Sequence, residues 1–132
     1  MPLSNNSKKL LGQTGEDLAV TALEHKGYKI IERNFRCPLG ELDLIAAKKG
    51  VLFFIEVKTR SNDNFGSPEE AVSRIKQKRL ARMARYYIQQ KRINNTPCSF
   101  TVVSILMHDS QPKIDILEDV LLTNEILSDR ER

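Results

Sequence analysis

The chain has 132 residues, of which 40% are hydrophobic, 29% charged and 6% aromatic, with no Trp. That length suits one domain with a mainly aliphatic core, here taken as residues 1–132 with loose ends at 1–8 and 128–132. No run of about 18 apolar residues exists to cross a membrane, the first residues lack the apolar stretch of a secretory signal, and Cys37 and Cys98 are not in metal-finger spacing. Free thiols in a reducing cytoplasm are therefore the expectation.

In chain order, the spacing predicts a helix over much of Leu10–Lys26, with Leu18, Ala19, Ala22 and Leu23 as its apolar stripe and Gly27 as its stop. Tyr28–Phe35 reads as a strand anchored by Ile30 and Ile31. Glu41–Ala47 alternates like a strand, Lys48-Lys49-Gly50 forms a turn, and Val51–Lys58 is rich in branched and aromatic side chains. Ser67-Pro68-Glu69-Glu70 combines a cap, a first-turn proline and acids near the helix N-terminus, and the helix runs on to about Lys91. Asn94, Asn95 and Pro97 break it. Two strands follow, Ser99–Met107 and Lys113–Leu117, then a helix or turn over Glu118–Leu127. Helix, three strands, helix, two strands, helix is an α/β order: a central mixed sheet of about five strands flanked by helices.

Charge is segregated along the chain. Residues 1–70 carry ten basic and ten acidic side chains, 71–108 carry eight basic and no acidic ones, and 109–132 carry three basic and seven acidic. A strongly cationic middle third fits a polyanion such as nucleic acid, and it also fits a well-solvated helix. On a helical wheel Val72, Ile75, Leu80, Met83 and Tyr87 form the buried stripe, while Arg74, Lys78, Arg82 and Arg85 gather opposite and could follow a phosphate backbone. Lys76 falls inside the stripe, flanked by Gln77, so one of the two is placed to turn toward the sheet.

The chemistry-bearing stretch is Gly40-Glu41-Leu42-Asp43-Leu44-Ile45 with Phe54-Ile55-Glu56-Val57-Lys58-Thr59-Arg60. Strand alternation puts Glu41 and Asp43 on one face, with Leu42 and Leu44 on the other. A two-residue turn at Lys49-Gly50 would set Lys48 opposite Val51, Asp43 opposite Glu56 and Glu41 opposite Lys58. Two opposed carboxylates require a proton or a cation between them, and oxygen donors suit Mg²⁺ or Mn²⁺. With Lys58 alongside, this is the equipment of metal-assisted phosphodiester hydrolysis. A solvated ladder pairing Glu41 with Lys58 is the plainer alternative. Arg60, at the strand exit, is a candidate phosphate contact or a rim ion pair. Phe65 reads as core cover, and His25 and His108 have no ligand partner at metal spacing.

At Asp43 and Glu56-Val57-Lys58 the sequence resembles the PD-(D/E)xK nuclease superfamily, with Leu42 in place of the motif proline. More closely it resembles the YraN family of small bacterial proteins, themselves similar to Holliday-junction resolvases. The matching segments are Gly12–Glu16, Arg33–Cys37, Gly40–Ile45, Phe54–Arg60 and Phe65–Pro68. The resemblance implies a restriction-endonuclease-like fold and a structure-directed endonuclease, and it leaves a homodimer open. It implies catalytic roles for Glu16, Asp43, Glu56 and Lys58, and Mg²⁺ or Mn²⁺ held by Asp43, Glu56 and the Val57 carbonyl. It also implies DNA, ahead of RNA, held by Arg60, Arg74, Lys76, Gln77, Lys78, Arg82 and Arg85, with no membrane partner. Without the resemblance, Glu16 would serve only the helix dipole. Thr101 stands where the related late strand, Phe-Asp-Val-Val, carries an acid. That substitution favours the rival reading, a nucleic-acid-binding module that does not cut. A third reading makes the protein an adaptor whose acidic tail binds a protein.

Overall fold

The computed structural model describes residues 5–61, 74–108 and 111–118, with residues 5–13, 74–76 and 108 described through their backbone alone. The elements are α1 (Asn5–His25), β1 (Lys29–Cys37), β2 (Gly40–Lys48), β3 (Val51–Arg60), α2 (Arg74–Gln90), β4 (Cys98–His108) and β5 (Gln111–Leu117). The five strands form one mixed sheet in the order β1-β2-β3-β4-β5. Only the β3–β4 pair is parallel, because α2 lies between those strands in the chain and carries the crossover.

The helices cover opposite faces of the sheet. Ala19 and Leu23 of α1 pack with Leu44, Ala46, Phe53, Ile55, Val103 and Ile105. Leu80, Met83, Ala84 and Tyr87 of α2 pack with Phe35, Leu42, Ile45, Phe54, Phe100 and Val102. β3 and β4 are therefore buried on both faces, which is why their sequences read as nearly continuous apolar runs.

Local chemistry explains the punctuation. Gly27, at φ +92°, closes α1: Tyr28 N–H donates to the Leu23 carbonyl and Gly27 N–H to the Glu24 carbonyl, both at 3.0 Å. This is the paired bond of a Schellman cap. α2 ends the same way with Arg92 at φ +55°, so the helix stops before Asn94 and Pro97 are reached. Lys49 and Gly50, at φ +50° and +79°, make the primed two-residue turn that matches strand twist.

Three expectations are corrected. α1 starts at Asn5, five residues ahead of the predicted helix start at Leu10. Ile31 is not an anchor: the β1–β2 register shifts between Ile30 and Glu32, and Ile31 is left 46% exposed at the bulge. Leu42 and Leu44 do not share a face, since they lie in the α2 and α1 layers respectively. Asn34, opposite Asp43 in this register, has φ +55°. A left-handed residue inside a strand turns the following side chains over, so Arg33 meets α1 whereas Phe35 meets α2. The predicted helix start at Ser67–Glu70, Phe65 and most of Glu118–Leu127 lie outside the described residues.

Candidate functional site

The hairpin register is the one the turn residues predict: Lys48 pairs with Val51, and the ladder runs to Leu44 opposite Ile55. There it stops. β2 turns over at Asp43, and the Asp43 carboxylate takes the place of a ladder partner, accepting the Val57 N–H at 2.7 Å on Oδ2. A residue's N–H and C=O point to the same side of a strand, so the Val57 carbonyl also faces β2. Glu41 pairs with Arg36 across β1 rather than with Lys58, and Arg36 Nε donates to Glu41 Oε2 at 3.1 Å. The predicted Glu41–Lys58 ladder is thus absent, because β2 has left the β3 register before reaching Glu41.

The carboxylates nonetheless gather. Burial pushes the Asp43 carboxyl from its ordinary 3.8 up to about 6; the Val57 N–H opposes that shift, and Glu56, Glu16 and Glu41 add to it by repulsion. Three acids from α1, β2 and β3 therefore come close enough to act on the Asp43 carboxyl, making a cluster of four. Glu56 is half-buried, with Oε2 withdrawn from solvent. Its strand position, beside Val102 of the α2 layer, puts it on the α2 side of β3, and Lys58 shares that side. Among the described residues no three His, Cys, Asp or Glu side chains form a ready-made cage for a metal ion.

Glu16 reaches the cluster because α1 sits unusually close to β3. A Cβ on Gly15 would lie 2.0 Å from Thr59 Oγ1, so only glycine allows this approach. Two β1 residues then hold Glu16. Arg33 Nη2 lies 3.8 Å from Glu16 Oε1 and 2.7 Å from Asp17 Oδ1. With its amide nitrogen turned to the acids, Asn34 donates to both Glu16 oxygens at 3.3 Å and to Glu41 Oε1 at 3.0 Å. Sequence reasoning placed Arg33 and Asn34 in a matching segment without giving them roles. The available signal was an Asn inside a strand, a residue that tolerates left-handed φ.

The structure places the basic residues less uniformly. Lys78 and Arg82 are exposed on α2, and Arg85 and Gln77 are half-buried. Arg74 and Lys76 belong to the helix, but their side chains lie outside the described residues. Arg60 is turned back onto the sheet, with Nη2 3.5 Å from Ser104 Oγ. Thr101 pairs with Ile55, is 1% exposed and leaves Oγ1 buried without a hydrogen-bond partner among the described residues. It therefore lies on the α1 side of β4, one step off the face that Val102 shares with Glu56.

The model of "Uncharacterised protein family UPF0102" matches residues 15–105, a span that holds all four acids, Lys58 and the whole of α2. The chain belongs to the UPF0102 family. A UPF0102 protein of Caldicellulosiruptor saccharolyticus is 43% identical over 83% of this chain and 93% of its own. One from Clostridium perfringens is 43% identical over 82% and 88%, and one from Geotalea daltonii 42% over 86% and 91%. The family match begins at Gly15, the residue whose missing side chain brings α1 onto β3.

Proposed function

We propose that the acid cluster at the β2–β3 divergence is the centre of a metal-dependent endonuclease on a restriction-endonuclease-like fold, acting on DNA and favouring branched or structured forms. The observation that carries this is the half-buried Asp43, raised to about 6 and held on Val57 N–H beside three further carboxylates. Such an arrangement is costly unless a cation neutralises it. Mg²⁺ and Mn²⁺ fit the donors: Mg²⁺ is commonly bound by one or two carboxylates while keeping several waters, so a closed protein cage is not required. Asp43, Glu56 and the Val57 carbonyl would hold the ion, which supplies Lewis-acid activation of water and charge neutralisation at phosphate.

The chain's own groups do the rest. Lys58, on the Glu56 side of β3, orients the attacking water and steadies charge developing on the phosphate. Glu16, held by Arg33 and Asn34, accepts a hydrogen bond from water at the far side of the cluster. Lys78, Arg82 and Arg85 hold the backbone, with shape rather than base sequence as the selector. The rival reading, a binding module without cleavage, rests on Thr101. That residue lies on the α1 side of β4 beside Ile55, whereas Glu56 and Lys58 lie on the α2 side of β3.

Nicking of a branched DNA with and without Mn²⁺ tests the reading, with Glu56→Ala as the comparison. Mn²⁺-dependent cutting by the wild type alone supports it. Equal binding by both proteins, with DNA left whole by each, refutes cleavage. Calorimetric Mn²⁺ titration of wild type against Asp43→Asn tests the metal ligands separately.

A further inference from the structure

A second feature lies apart from the acids. Between the C-terminal end of α2 and the start of β4 there is a cleft of about 880 Å³, within the size range of small-molecule sites of roughly 300–1,000 Å³. Its polar lining includes Arg85, Gln89, Arg92 and Asn94, and Ile88 and Ile93 supply apolar surface. Cys98, at the β4 end of the cleft, is paired with Leu52. Glu56 is four residue steps, about 13 Å, beyond Leu52 along β3. Cys98 packs with the α2 layer, so the cleft and Glu56 lie on the same side of the sheet.

A row of cations connects the two regions. Lys78, Arg82, Arg85 and Gln89 recur at spacings of four, three and four, which keeps them on one strip of α2, opposite Leu80, Met83 and Tyr87. The strip is about 17 Å long. On the neighbouring, sheet-facing side of the same N-terminal turns, Arg79 and Met83 approach Gly40, the first residue of the strand bearing Glu41 and Asp43, so the strip begins at the end of α2 nearest the acids. At its end, Arg85 and Gln89 enter the cleft.

We propose that this cleft binds an unpaired nucleotide whose strand runs along the Lys78–Arg82–Arg85 strip. A phosphate matches the two guanidinium groups. An unstacked base offers donors and acceptors to Gln89 and Asn94, and flat faces to the isoleucines and the Arg planes. A base inside a duplex presents neither its faces nor its pairing edge. The inference rests on the nucleic-acid half of the proposed function and is independent of cleavage, since neither acids nor metal take part.

The full chain, in chelator, is tested by fluorescence anisotropy with a labelled oligo-dT of about twelve nucleotides and a duplex of equal length. Single strand is expected to bind more tightly than duplex. Arg92→Glu is expected to weaken single-strand binding by about tenfold, and Lys113→Glu on β5, an identical charge change, by less than about threefold. Gln89→Trp, which fills the cleft without changing charge, is expected to lower single-strand affinity while leaving duplex binding intact. Competition by unlabelled oligonucleotide far better than by dTMP assigns the cleft to a strand, and equal competition assigns it to a free nucleotide. Equal losses in Arg92→Glu and Lys113→Glu, or no preference for single strand, overturn the proposal. Glu56→Ala is expected to bind like wild type, so loss of nicking with binding retained bears on the nuclease reading alone.

Discussion

Replacing Asp43 with asparagine removes one negative charge from the acid cluster while keeping an oxygen able to accept the Val57 N–H. In the folded chain the carboxyl is raised from 3.8 to about 6 by burial and by Glu56, Glu16 and Glu41. Below about pH 4 both folded and unfolded chains hold the proton, so Asp43 makes no pH-dependent contribution to stability there. Between about pH 4 and 6 the unfolded chain releases the proton first, and stability falls as pH rises. Above about pH 6 the penalty is complete. At 1.36 kcal/mol per pKa unit it amounts to about 3 kcal/mol as a ceiling. For a chain of this length that corresponds to about 10 °C in melting temperature. Asp43→Asn should therefore match wild type near pH 4 and melt higher near pH 7.5, with both samples in chelator. Adding Mn²⁺ should reverse the order, because only the wild type gains ligand-linked stability. A variant less stable than wild type at neutral pH in chelator, or a difference unchanged across the pH range, would refute the account of the buried carboxyl.

Other substitutions test the supports. Gly15→Ala drives a Cβ into Thr59 Oγ1 and should lower stability by about 1–3 kcal/mol in chemical denaturation, with Thr59→Ala restoring much of it. A neutral Gly15→Ala would show that α1 does not approach β3 this closely. Asn34→Gly keeps the left-handed backbone but removes the amide between Glu16 and Glu41, so it should hold its melting temperature and lose Mn²⁺ affinity in calorimetry. Asn34→Val, which resists positive φ, should instead destabilise the fold by about 1–3 kcal/mol. Lys49→Asn converts the β2–β3 turn to Asn-Gly and should stabilise it by about 0.5–1 kcal/mol; a lowered melting temperature would contradict the primed turn.

The readability of this sequence varied with how local the physics was. Lys49-Gly50 announced its turn, and the β2–β3 register up to Leu44 and Ile55 followed from counting outward from it. Gly27 marked its helix cap, and Leu80, Met83 and Tyr87 marked the buried side of α2. Strand alternation failed at Asn34 and Asp43, where a left-handed residue in β1 turned the ribbon over. No period-2 pattern records that event. Ile31 misled for a similar reason, since a bulge exposes a side chain that its residue type would bury.

The sequence by itself determined the order of the described elements from α1 to β5, the mixed sheet and which acids and lysine stand at the ends of β2 and β3. These depend on turn geometry, caps and periodicity, all short-range. Only the tertiary structure decided how the acids meet. Asp43 leaves its ladder for the Val57 N–H, Glu41 turns to Arg36, and Glu16 arrives from a helix held close by Gly15 against Thr59. Those contacts join residues far apart in the chain, and their geometry follows from backbone approach and strand divergence, which depend on every layer packing at once.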